Sequence, residues 1–239
     1  ADQRSRGFLI GGTAGRTTLA GEGLQHQDGS SHLIAATVPN CRAWDPCYGY
    51  ELTLIVQEGI RRMLAEAEDV FYYITVMNEN YAQPPMPAEA GAGILRGMYR
   101  VRGDGAGDAQ LLGSGAILRE CIAASELLER EHRVRADVWS VTSWTELRRD
   151  ARDADAAGRT SWGADCLGAA RGPVVAASDY VSAVADLVRP WVRGTMVSLG
   201  TDGFGRSDTR AALRENFGVS AQHIARAALA AMGTGHKEN

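Results

Sequence analysis

Near the start of the chain an acid and an imidazole stand close together: Glu22 and His26, with Gln25 between them and Asp28 just beyond. Histidine is the side chain whose unperturbed pKa lies nearest neutrality, so His26 beside Glu22 is suited to giving and taking protons at working pH. The stretch around them, from Arg6 to His32, also carries Arg16 and the glycines Gly11, Gly12, Gly15, Gly21, Gly23 and Gly29. Glycine at that density disfavours a helix interior, lets backbone turn sharply and lets a ligand approach closely. A long loop of this kind bearing an acid and two imidazoles is more often functional than decorative. The bland alternative is a surface turn with solvated histidines.

Regular elements must hold that loop. Phe8-Leu9-Ile10 is a short apolar run leading into it. Apolar positions at Tyr48, Leu52, Ile55, Gly59 and Met63 predict a helix over 46–69, with Asp45 as its cap and Pro46 in its first turn. The β-branched and aromatic run Val70 to Val76 predicts a strand covered on both faces. Pro84, Pro85 and Pro87, followed by 88–93, predict an irregular linker between two domains, 1–93 and 94–239. In the second domain strands are expected at 109–112, 136–141, 173–177 and 195–199. Helices are expected after Gly113-Ser-Gly115 (Ile117, Cys121, Ala124 and Leu128 on one face), at 181–188 capped by Ser178 or Asp179, through 213–217 capped by Ser207 or Asp208, and at 221–232 capped by Ser220. A polar tail ends the chain at 233–239. Strands alternating with helices predict an α/β fold with a parallel, doubly wound sheet.

Composition narrows the function classes. At 239 residues, 45% hydrophobic and 23% charged, the chain reads as a globular protein of one large or two ordinary domains. A formal charge of -4 leaves no basic footprint for nucleic acid. No apolar run approaches the roughly 20 residues of a membrane helix, and the Ala1-Asp-Gln-Arg4 start lacks a signal-peptide pattern, which predicts a cytoplasmic location. Cys41, Cys47, Cys121 and Cys166 show no metal spacing and are expected to be free thiols, with no metal site. No Gly-x-Ser-x-Gly elbow supports hydrolase chemistry. Gly103-Asp-Gly105 has no asparagine-rich segment after it and reads as a loop. Gly113-Ser-Gly115 reads as a tight strand-to-helix turn in preference to an anion site. In Gly200 to Asp208, Asp202 and Asp208 are expected to be caps and partners for Arg206.

Gly12-Thr-Ala-Gly-Arg-Thr-Thr-Leu19, followed by Gly21-Glu-Gly-Leu-Gln-His26 and Asp28-Gly29, closely resembles the homodimeric bacterial pyruvate dehydrogenase decarboxylating component. Asp45-Pro46, Tyr72-Tyr-Ile-Thr75, Asn78-Glu-Asn-Tyr81, Leu111-Leu-Gly-Ser-Gly115, Ser140-Val-Thr-Ser-Trp-Thr-Glu-Leu147 and Gly200-Thr-Asp-Gly-Phe-Gly-Arg-Ser-Asp208 resemble that family too, in its order. The resemblance implies part of a transketolase-like pyrimidine-binding domain followed by a transketolase-like carboxy-terminal domain. It implies thiamine diphosphate and magnesium as cofactors, both held mainly by an amino-terminal region or subunit that would complete this chain. It further implies a homodimer and a lipoyl-bearing acyltransferase as partner. Carried over by resemblance, His26 is a proton donor or hydrogen bonder to substrate-derived oxygens and Glu22 orients the site, with Gln25 and Asp28 as a supporting shell. Ser30 stands where the family pattern often has histidine, and 150–171 looks shortened, which leaves room for a divergent substrate or partner surface. A second reading is a non-catalytic subunit that serves assembly or dimerisation.

Overall fold

The aromatic run before residue 76 becomes the centre of a sheet. In the computed structural model, which describes residues 1–233, β1 (Phe8–Gly11), β2 (Cys41–Trp44) and β3 (Phe71–Thr75) form a parallel sheet in the order β1-β3-β2. Tyr72 and Ile74 of β3 are fully buried, and Trp44 stacks on Tyr72 with ring centroids 6.2 Å apart. Helices α1 (Ser31–Ala36) and α2 (Gly49–Ile60) accompany this sheet, and α2 runs on as a π turn, Arg61–Ala65.

Asp45 does not cap α2 as expected. The helix begins later, with Tyr48 at its N-cap position, and the Glu51 carboxylate accepts the main-chain N–H groups of Cys47 (2.6 Å) and Tyr48 (3.0 Å). That leaves Asp45 free for a buried role described below. Glu51 also accepts the Tyr99 hydroxyl at 2.7 Å and the Ser140 hydroxyl at 2.6 Å, so one buried carboxylate ties the helix start to the second sheet. Glu51→Gln turns one acceptor oxygen into a donor facing donors. We expect it to cost about 1–3 kcal/mol, read as a lower urea midpoint; an unchanged midpoint would show these bonds to be incidental.

The segment 78–87 is irregular, as expected, but the next residues form α3 (Ala90–Leu95). A glycine- and alanine-rich stretch of low helix propensity is held there by burial of Ala90, Gly93 and Ile94. A Cβ on Gly93 would lie 2.7 Å from that of Tyr99, so only glycine permits this approach.

The second sheet comprises β4 (Met98–Arg102), β5 (Ala109–Gly113), β6 (Ala136–Val141), β7 (Val174–Ala177) and β8 (Met196–Leu199), in the order β4-β6-β5-β7-β8. All neighbours are parallel except β4, which runs antiparallel to β6 and makes the sheet mixed. Strands β5, β6 and β7 are buried at every position. Their alternate residues feed two cores. Leu111, Val138 and Val175 meet α4 (Ile117–His132) and α8 (Ala221–Ala231). Leu112, Trp139 and Ala176 face α5 (Trp144–Ala157), α6 (Trp162–Leu167) and a 3₁₀ segment, Ser182–Trp191. Helix α7 (Arg210–Phe217) follows β8.

Several expected caps move. Asp202, far away in sequence, accepts the Ser182 N–H at 3.0 Å, because Asp179 is engaged elsewhere. Thr209 caps α7, its hydroxyl accepting from Ala212 N at 3.3 Å. Ser220 holds the N-cap position of α8, but its hydroxyl bonds Glu215 and His223, and the Glu120 carboxylate takes the Ala221 N–H at 2.9 Å. No helix among the described residues is long and apolar enough to cross a membrane. Residues 234–239 of the expected tail lie outside the described residues.

Candidate functional site

The glycine-rich loop lies between β1 and α1, over the carboxyl ends of strands from both sheets. Ala14 N donates to Val76 O just past β3, and Arg16 N donates to Asp179 O just past β7. Gly21 N donates to Asp208 O, and Val181 N donates to Gly29 O. Ligands of open parallel sheets bind at this end of the strands.

Its first half is an anchor. Thr17 and Thr18 are fully buried. The Asp179 carboxylate receives the Thr17 N–H at 3.0 and 3.1 Å, and Gly15, at φ +87°, is where any Cβ would collide with that carboxylate. From α7, Arg210 donates to Thr18 O at 2.8 Å and Arg214 to the Thr17 hydroxyl at 3.3 Å. Arg214 continues to Glu79 and Glu120, and Arg119 joins Glu79 at 2.8 Å. The Arg16 guanidinium donates to Thr201 O and, at 2.7 Å, to Gly203 O.

The second half carries Glu22, Gln25, His26 and Asp28, the residues expected to act on the substrate. His26 ends a single 3₁₀ turn, Leu24–His26, and is exposed; Gln25 is exposed and Glu22 half-buried. Among the described residues no side-chain hydrogen bond or ion pair engages Glu22, Gln25 or His26. Gln27, which the sequence reading passed over, clamps the turn. Its side-chain amide accepts the Arg206 N–H at 2.7 Å and donates to Arg206 O, joining the turn to the Gly200–Asp208 loop. Asp28 accepts the N–H groups of Ser30 and Ser31, each at 3.0 Å, and the Ser31 hydroxyl, so its carboxylate supports the start of α1.

A second polar cluster was not legible as a site. His32, expected only as a loop imidazole, is buried, its Nε2 3.1 Å from the Thr75 hydroxyl and its ring edge-on to Tyr180 with centroids 4.6 Å apart. Burial pushes its pKa down, against the opposing pull of Asp45 and Asp28. Thr75 is 2.7 Å and Tyr180 3.4 Å from Asp45 Oδ1, while the buried Asp45 Oδ2 has no protein partner among the described residues. Gly115, at φ +49°, lets the turn close on this group: a Cβ there would lie 2.8 Å from the carboxylate. The Gly-Ser-Gly turn thus packs against an acid of the same chain. The faint sequence signal was Asp45-Pro46, read as a cap.

Asp179 gives a pH dependence. Burial pushes its carboxyl up to about 7, with nearby Asp45 adding to the rise; the bonds from Thr17 and the charge of Arg214 oppose it. The folded pKa lies above the unfolded value of about 4, so the contribution of this group is full below pH ~4 and is lost as pH rises toward 7. Stability to urea should therefore fall over that window, and Asp179→Asn should flatten the fall. A slope that persists in the variant would assign it to another group.

Among the described residues no three His, Cys, Asp or Glu side chains are placed to ligate a metal. All four cysteines are free thiols.

Two family models match separate parts of the chain. Residues 1–84 match the family model of the pyruvate dehydrogenase E1 component middle domain, and residues 97–220 that of the transketolase-like C-terminal domain. The chain is 53% identical over 243 aligned positions to a pyruvate dehydrogenase E1 component of Pseudomonas aeruginosa, with 97% of the chain and 28% of the relative covered. It is 48% identical to that of Escherichia coli, covering 95% and 27%. The chain thus spans about a quarter of these relatives' length. Among solved structures, a Campylobacter jejuni transketolase superposes with a TM-score of 0.71 at 17% identity, covering 93% of the chain and 31% of the other. A split-gene transketolase solved as an inactive β4 tetramer gives a TM-score of 0.66 at 18% identity, covering 96% and 68%.

Proposed function

Because the chain belongs to the transketolase-like family and groups there with the pyruvate dehydrogenase E1 components, we propose that it forms one wall of a thiamine-diphosphate active site that decarboxylates pyruvate. In this reading the acetyl unit passes to the lipoyl group of an acyltransferase. The observation that carries the proposal is His26: an imidazole with no side-chain partner among the described residues, on a loop bonded past the carboxyl ends of strands in both sheets.

The donor set fits work on the substrate more than retention of the cofactor. Glu22, Gln25 and His26 offer an acid, an amide and an imidazole, with no ligating triad beside them among the described residues. The diphosphate and magnesium are accordingly assigned to an amino-terminal region or subunit, and residues 1–93 and 94–239 to two domains of the completed enzyme. Bound thiamine diphosphate supplies the nucleophile and electron sink for loss of carbon dioxide. His26 donates a proton or hydrogen bond to the substrate-derived oxygen, and Glu22 orients the site. Anchoring by Thr17, Gln27 and Asp28 holds the turn in place, so its orientation is settled before substrate arrives.

A second reading, a non-catalytic subunit serving assembly or dimerisation, draws on the inactive β4 tetramer of the split-gene neighbour. Titration calorimetry separates the two. The 239-residue chain alone should bind no thiamine diphosphate with magnesium and turn over no pyruvate; adding the amino-terminal portion of a related E1 should restore both. Tight cofactor binding by the chain alone would overturn the division of labour. Cofactor binding without turnover in the completed protein would favour the assembly reading.

A further inference from the structure

A groove of about 380 Å³ opens between α3, the outer edge of β4 and α6, remote in sequence from the glycine-rich loop. Tyr99, Arg100, Trp139, Trp162 and Glu89 line it. Two guanidiniums flank it on aromatic planes: Arg96 lies 4.0 Å from the centre of the Trp162 ring and Arg100 5.5 Å from that of Trp139. Most arginines of this chain meet a carboxylate, whereas among the described residues Arg96 and Arg100 do not. Both residues are exposed, and stacking on indoles restricts their side chains while leaving their donors without an acceptor among the described residues.

The edge of β4 adds a second feature. This strand ends the five-stranded sheet and pairs only with β6. Gly97 O accepts from Ser143 N on the β6 side, whereas Met98 O is taken by the Trp162 indole N–H at 2.9 Å on the outer side. Alternation along a strand then turns the main-chain N–H and C=O of Arg100 outward. Unpaired strand edges accept an added strand.

We propose that this groove binds an extended acidic segment of a partner protein, which pairs its main chain with the β4 edge at Arg100 and sets carboxylates against Arg96 and Arg100. Charge complementarity favours this occupant, since two stacked guanidiniums of the groove outnumber its one unpaired carboxylate, Glu89, among the described residues. The strand edge selects a peptide over a free anion, which would use the guanidiniums and leave the edge bare. Glu89 opposes acidic ligands and favours a segment whose charges lie toward the arginines. The site is independent of the catalytic reading, and its failure would leave that reading untouched.

The probe is a short N-acetylated peptide alternating glutamate and valine, titrated into the full chain with tryptophan fluorescence as the readout. Binding should weaken with salt. Arg96→Gln and Arg100→Gln should each weaken it about ten-fold, the scale of losing a charged hydrogen bond, while Glu89→Gln should tighten it. Melting curves of the variants must match the parent; should one arginine variant fail to fold, the other and Glu89→Gln still decide. N-methylation of the peptide at alternate amides should abolish binding in one register and spare the other. Equal binding of a lysine-for-glutamate peptide, indifference to N-methylation, or competition by free glutamate or inorganic phosphate at the same affinity would overturn the proposal. Self-association of the chain that Arg96→Gln abolishes would overturn it too, by assigning the groove to a second copy.

Discussion

His26→Ala in the completed enzyme is expected to lower turnover by about 10²–10⁴-fold, the usual contribution of a positioned general acid or base. The side chain is exposed and bonds no other described side chain, so its removal should change stability by no more than roughly 0.5 kcal/mol. That contrast makes the experiment decisive. Loss of turnover with an unchanged melting curve assigns the imidazole to chemistry. Near-normal formation of acetyl-lipoyl product would remove His26 from the mechanism, and parallel loss of activity and stability would mean that it holds the turn. Glu22→Gln, which keeps size and removes charge, should lower the rate as well and alter the pH profile, if the carboxylate orients the site through its charge.

Arg214→Ala should have the largest effect on stability. The guanidinium is 8% exposed and serves two carboxylates at once: Glu79, 10% exposed, and Glu120, 3.1 Å away. Burial alone would raise the Glu79 carboxyl; the Arg214 and Arg119 guanidiniums outweigh it and hold that group below the usual carboxylate range. Deleting Arg214 strands Glu120, leaves Glu79 to Arg119 alone and frees the Thr17 hydroxyl. Breaking a buried pair in this way costs about 3–5 kcal/mol, which urea denaturation would resolve. Arg214→Lys should recover little, because a point charge cannot span both acids and Thr17. Combining Arg214→Met with Glu79→Gln and Glu120→Gln should recover part of the loss, since no buried carboxylate is then left unpaired and Arg119, which also loses Glu79, is 37% exposed. A loss below about 1 kcal/mol in Arg214→Ala would place the network among weakly coupled surface pairs. The network lies under the glycine-rich loop, so its loss should also loosen the turn bearing His26.

The hydrophobic pattern made much of the architecture legible before any coordinates. The run at 70–76 and those at 109–112, 136–141, 173–177 and 195–199 all appear as strands; the middle three are buried at every position, which writes itself as near-continuous apolar sequence, while the first and last keep half-buried positions. Strand β4, Met98-Tyr-Arg-Val-Arg102, was missed for the opposite reason. It is an edge strand with charged residues on its open side, and that composition carries no burial signal. Helix α3 was missed because its glycines and alanines argue locally for irregular chain, and only contact with α2 and β4 stabilises it.

The chemistry divides along the same line. The order of residues by itself determined the family likeness, the α/β class and the glycine-rich loop, and it made Glu22 and His26 the candidates for acid–base work, since these depend on local identity and spacing. Only the tertiary structure decided which groups hold that loop. Asp179, Arg214 and Arg206 lie at least 162 positions beyond the loop residues they grip, and no local pattern encodes a partner so distant. The same holds for Asp45, a plausible helix cap by its neighbours. It was drawn into a buried cluster with Thr75 and Tyr180 because the two sheets meet there, and a buried carboxylate takes its hydrogen bonds wherever the fold supplies them.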